Sequence, residues 1–130
     1  MELLLKPGGS SMTDNVGDED RTVLERLLWV VEALREVKPN IRAHEIGAYL
    51  RVALSEGKSV AELTKDAGVA QSVMSRALLD IGPRDRSGEA GAGLVEHRLS
   101  PVNMREHQVV LTRKGVSLAR KIAGMLSKRR

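Results

Sequence analysis

The apolar and polar positions of the chain divide it into five helical stretches and one pair of strands. From Asp20 to Val37, the residues Val23, Leu24, Leu27, Leu28, Val30, Val31, Leu34 and Val37 recur at helical spacing and form a broad apolar face. Asp20 is the expected N-cap and Pro39 the stop. This face is wide for one small core. It is expected to pack against a second subunit, with simple burial as the plainer alternative. A second helix is expected from residue 41 or 42 to residue 56, with Ile46, Leu50, Ala53 and Leu54 along its inner side and Gly57 at its end.

Ser59-Val60-Ala61-Glu62 has the S-x-x-E form of a capping box, which marks a helix start. This short helix turns Leu63 and Ala67 inward. Gly68 then supplies the left-handed conformation that a β-carbon would penalise, and Val69 fills the gap to the next helix. In that next helix, residues 71–81, Met74, Ala77, Leu78 and Ile81 fall at i, i+3, i+4 and i+7 and make one buried stripe. Gln71, Ser72, Val73, Ser75 and Arg76 are left on the other side. Ala70 is a poor cap, so the start of this helix is weak or is capped by Ser72. Two helices joined by a glycine turn are a helix-turn-helix, whose second helix suits a major groove.

Residues 83–93 are glycine-rich and carry Arg84 and Arg86, which reads as a loop. Residues 94–99 and 108–111 read as strands, joined by a turn around Ser100-Pro101-Val102-Asn103. Arg98 and Arg105 lie towards the tip of this hairpin, where they suit a minor groove or a phosphate backbone. Thr112 can cap a last helix from Arg113 to about Ser127, and Lys114 in its first turn is within the same basic region. The expected fold is mainly α with a small β-hairpin, a winged helix-turn-helix over residues 20–130. Residues 1–19, with Pro7-Gly8-Gly9-Ser10-Ser11 and an acidic cluster, are expected to be disordered, and Met12 is an alternative start.

Composition narrows the chemistry. One Trp, one Tyr and no Phe in 130 residues require an aliphatic core. The absence of Cys excludes disulfides, thiolate metal sites and a Cys nucleophile, and fits a reducing cytoplasm. No apolar run approaches the ~20 residues needed to span a bilayer. The overall charge of +4 is unevenly spread: residues 82–130 hold eleven basic and four acidic residues, whereas residues 1–20 hold one basic and five acidic. A basic half favours a polyanion partner, with a merely solvated basic face as the alternative. His97 and His107 can approach each other across the hairpin, but His44 is the only further histidine and no zinc spacing is present, so no metal is expected. The GEAGAG run lacks the G-K-[S/T] ending of a phosphate loop, and no G-x-S-x-G elbow occurs. No cofactor and no enzymatic activity are expected.

From Ser59 onward the order of elements resembles the MarR-type winged helix-turn-helix regulators, and more loosely short plasmid- or phage-type winged-helix proteins. The resemblance rests on Gly68, Val69, Gln71, Ser72, Ser75, Arg76 and Leu78, on Gly93-Leu94-Val95, on Arg105, and on Leu111-Thr112-Arg113-Lys114-Gly115, covering about half the chain. Asn103 stands where that family usually has an Asp two residues before the wing Arg, so Arg105 would be held less firmly. The resemblance implies a homodimer on a pseudo-palindromic operator, usually as a repressor, with a small-molecule effector. Dimerisation would rest on helices 20–37 and 113–127.

The expected DNA contacts are Gln71, Ser72, Val73, Ser75 and Arg76 in the major groove, with Arg84, Arg86, Arg98, Arg105 and Lys114 on the flanks. For Arg76 the competing role is an ion pair with Asp80 at i+4. Two other functions stay open at this stage: a winged-helix protein–protein adaptor, and a DNA-organising, replication or partition protein without sequence choice.

Overall fold

The computed structural model describes residues 15–102 and 107–127. The elements are α1 (Asp18–Val37), α2 (Ala43–Leu54), α3 (Val60–Ala67), α4 (Gln71–Asp80), β1 (Val95–Leu99), β2 (His107–Leu111) and α5 (Arg113–Ser127). The helices and the antiparallel hairpin follow one another in the expected order, which is the winged helix-turn-helix. The N-cap of α1 is Gly17 rather than Asp20. Asp18, Glu19 and Asp20 together form its first turn, where carboxylates are favourable at the positive end of the helix dipole. Asp18 and Glu19, expected within the unstructured segment, are therefore helical. Residues 1–14 lie outside the described residues.

The core is aliphatic, as the composition requires. Val52, Ile81, Leu94, Val95 and Val109 are fully buried, joined by Tyr49. Helix α1 contributes only Val30, Ala33 and Leu34 to it and packs along α5, whose Leu118 and Ile122 are buried. Helix α2 turns a different face inward from the one expected. Glu45, Ala48, Tyr49 and Val52 are its buried residues. Ile46 and Ala53 are half-buried, and Leu50 and Leu54 are exposed. The buried polar group on this face is satisfied. The Glu45 carboxylate accepts from the Arg42 N–H at 2.9 Å and lies 3.2 Å from the Lys38 ammonium, so its burial is compensated.

The β-hairpin pairs Val95 with Leu111 through Leu99 with His107. Its base is anchored twice. Gly57 N–H donates to the Val109 carbonyl, and Val109 N–H donates to the Lys58 carbonyl, so the α2–α3 connection runs beside β2 like a third strand. Close backbone approach fixes the other edge: a Cβ on Gly115 would lie 2.1 Å from the Leu94 carbonyl oxygen. Glycine is the residue that fits there. None of the described helices is long and apolar enough to cross a membrane.

Candidate nucleic-acid interface

The helix-turn-helix is built by local chemistry. The Ser59 hydroxyl accepts from Glu62 N–H at 3.1 Å, and the Glu62 carboxylate accepts from Ser59 N–H at 2.9 Å, so the capping box is complete. Gly68 adopts φ 69°, ψ 28°, the left-handed cap that lets α4 leave at a new angle. Ala70 precedes α4 in an extended conformation and offers no side-chain cap, and Ser72 makes no cap bond either. Met74, Ala77 and Leu78 are buried in α4, with Ile81 just beyond it. The opposite face is open: Gln71, Ser72 and Arg76 are exposed, and Val73 and Ser75 are half-buried.

The basic residues differ in how far they are already occupied. Asp80 does not hold Arg76. Its carboxylate accepts from the Arg86 N–H at 3.3 Å and lies 3.3 Å from the Arg86 guanidinium. Among the described residues Arg76 has no ion-pair partner. The Arg84 guanidinium donates to the Gly88 carbonyl at 2.8 Å and closes its own loop. In that loop Asp85 accepts from Ser87 and Glu89, and these bonds hold its carboxyl below the usual carboxylate range; the Ser87 hydroxyl contributes most. Arg98 projects from β1 and is engaged by Glu96 two residues earlier, at 2.6 and 2.9 Å. Lys114 is exposed in the first turn of α5, which Thr112 caps by accepting from Gly115 N–H at 3.0 Å. Arg105 and Asn103 lie outside the described residues.

His97 and His107 do meet across the hairpin, edge to face with ring centroids 6.4 Å apart. Partial burial, and then the neighbouring His107, lower the His97 pKa. No group of three potential metal ligands occurs among the described residues.

Arg42 and His44, at the start of α2, face Val73, Arg76 and Ala77 of α4 across a cavity of about 110 Å³. No local signal marked them, because their relation to Arg76 exists only once α2 docks on α4.

No family model and no curated protein matches the chain. Solved structures do. A S. aureus MepR–DNA complex superposes with a TM-score of 0.64 at 12% identity, covering 83% of this chain and 82% of that one. A MarR transcriptional regulator from Methanosarcina mazei gives 0.58 at 15% identity, covering 83% and 70%. Wild-type MarR from E. coli in its apo form gives 0.56 at 17% identity, covering 88% and 80%. The fold is therefore the winged helix of the MarR-type regulators, in agreement with the residues that carried the resemblance.

Proposed function

We propose that this chain is a sequence-specific, double-stranded-DNA-binding transcriptional regulator, acting as a homodimeric repressor and without enzymatic activity. The observation that carries this reading is α4 itself. It is held from behind by a buried stripe and presents Gln71, Ser72, Ser75 and Arg76, which has no ion-pair partner among the described residues, on its open face. Such a helix fits a major groove, where Arg can bond guanine and Gln can bond adenine. Val73 borders that face and offers apolar contact to a thymine methyl. Arg98 and Arg105 grip the flank from the wing, and Lys114 meets a phosphate. Arg84 and Arg86 reach the duplex from the loop after α4, though each has an internal partner in the free protein. One of the similar structures, MepR, is described as a complex with DNA, and another, CouR, as a transcriptional repressor bound to a 23-mer duplex.

The dimer reading rests on α1. Val23, Leu24, Leu27 and Leu28 are 50–58% exposed, and Val31 is 36% exposed. Val23 and Leu27 continue the face of the buried Val30 and Leu34 towards the N-terminal end of α1, and Leu24, Leu28 and Val31 widen it to one side. A contiguous apolar face of this kind marks an association surface. A second copy of the same helix, with α5 beside it, completes it in the symmetric way that homodimers use. Two copies would set two α4 helices on successive major grooves. A small-molecule effector belongs to the same reading, without a site assigned to it.

The test is a titration of duplex DNA from upstream of the chain's own gene, at two salt concentrations, against random duplex. Tight binding that survives the competitor supports a self-regulating repressor. Affinity equal to that for random DNA would replace it with a DNA-organising role. No binding at low salt would move the reading to a protein–protein adaptor.

A further inference from the structure

We infer that the cavity between the start of α2 and the flank of α4 is a seat for one phosphate of the DNA backbone, gripped by Arg42, His44 and Arg76. This rests on the DNA-binding reading above and adds α2 to the interface. Arg42, His44, Arg76 and Arg86 all line the cavity, together with Glu45 and Asp80. The two carboxylates are already neutralised. Glu45 lies 3.2 Å from Lys38, and Asp80 lies 3.3 Å from Arg86. With those pairs closed, the guanidiniums of Arg42 and Arg76 are the uncompensated charges, and neither has an ion-pair partner among the described residues. All three side chains are exposed, so they are hydrated and available.

The residue types suit a phosphate. Two guanidiniums offer planar donor forks, and an imidazole N–H adds a third donor. A small cavity open to solvent admits a tetrahedral oxyanion. The position also fits. Arg76 sits on the open side of α4, so a duplex met by that helix brings a strand past the rim where Arg42 and His44 stand. Arg76 then serves two surfaces at once, the groove floor and the strand beside it, which fixes the depth of α4 in the groove. Such a contact carries no sequence information of its own.

The test compares the full chain with Arg42→Ala and His44→Ala on a bound duplex, by salt-dependent titration and phosphate-ethylation interference. The Arg42 side chain takes no part in the Glu45 bond, which uses its backbone N–H, so the fold is expected to survive. Circular dichroism melts verify this, and Arg42→Lys provides a milder second variant. Arg42→Ala is expected to weaken specific and random duplex alike by about tenfold. It should lower the slope of log K against log salt by about one, and ethylation of one phosphate per half-site should cease to interfere. His44→Ala should reduce interference at the same phosphate. A parent that binds DNA while Arg42→Ala keeps its affinity, slope and interference pattern overturns this inference alone. A parent without any duplex affinity overturns the DNA-binding reading, and this one with it. A melting temperature that rises with millimolar inorganic phosphate in the absence of DNA, and no longer does so in Arg42→Ala, would assign the cavity to a free anion instead.

Discussion

The phenol of Tyr49 donates a 2.6 Å hydrogen bond to the carbonyl oxygen of Gly115, sixty-six residues further along the chain. Tyr49 is fully buried, and Gly115 lies in the first turn of the helix that follows the wing. The bond therefore ties the middle of α2 to the join between β2 and α5. Tyr49→Phe removes this donor, while the Gly115 carbonyl keeps its place in the α5 ladder. The expected loss is about 0.5–1.5 kcal/mol of unfolding free energy, measured by urea titration, with duplex affinity of the folded fraction retained.

The same burial has a consequence at alkaline pH. Desolvation raises the Tyr49 pKa from 10.0 to about 12. A folded pKa above the unfolded value means that the native state holds the proton longer. The contribution to stability is complete below pH 10 and is lost as the pH rises towards 12. Tyr49 is the single tyrosine of the chain. Phenolate absorbance near 295 nm should therefore appear close to pH 12 in the folded protein, and close to pH 10 in denaturant. Equal midpoints in both conditions would refute the burial argument.

Two glycines of α5 should respond in opposite directions to alanine. At Gly115 an added Cβ meets the Leu94 carbonyl oxygen at 2.1 Å and the Leu94 carbonyl carbon at 3.1 Å, both backbone atoms that cannot swing away. Gly115→Ala is expected to cost about 1–3 kcal/mol or more. At Gly124 nothing lies within 4 Å of an added Cβ, and the residue is helical. Gly124→Ala is expected to stabilise by about 0.5–1 kcal/mol. Thermal melts of the two variants distinguish these effects.

The exposed α1 stripe predicts an association defect. Leu24→Glu combined with Leu28→Glu places two charges on residues that are 51% and 54% exposed. The variant should fold normally and sediment as a single copy, whereas the parent is expected to sediment as a dimer. Duplex affinity should drop by more than about tenfold, because two linked half-site contacts become independent. A parent that sediments as a monomer at micromolar concentration would remove the dimer from the account.

The ion pair on the wing makes a signed prediction. Glu96 holds the Arg98 guanidinium at 2.6 Å and places a negative charge beside it. Glu96→Ala frees Arg98 and removes repulsion towards phosphate. Affinity should rise about two- to fivefold at low salt, the scale of an exposed pair. Arg98→Ala should weaken all sequences alike and lower the salt slope by about one. An unchanged affinity in both variants would place β1 outside the interface.

Much of the helix-turn-helix was legible in the sequence because its signals are local. Ser59 with Glu62, the positive-φ Gly68 and the Met74, Ala77, Leu78 and Ile81 stripe each act within two turns of helix. Thr112 announced α5 for the same reason. The inner face of α2 was not legible. Apolar periodicity favoured Leu50 and Leu54, whereas the buried residues include Glu45 and Tyr49, which are satisfied by Lys38 and by the distant Gly115. The partner of Asp80 was missed similarly. Spacing pointed to Arg76 at i−4, but the loop returns Arg86 to the same carboxylate. Arg42 and His44 acquire meaning only from the docking of α2 on α4, a contact that no window along the chain contains.

The central claim is that α4 reads DNA sequence, and selection from a randomised duplex pool tests it most directly. The chain and its Arg76→Ala variant would be taken through the same rounds, and the recovered sequences compared. The account predicts that the parent enriches one inverted-repeat motif and that Arg76→Ala loses preference at one position of each half, at a cost of roughly 1–3 kcal/mol. Recovery of no motif by the parent, or of an identical motif at equal affinity by both proteins, would contradict it.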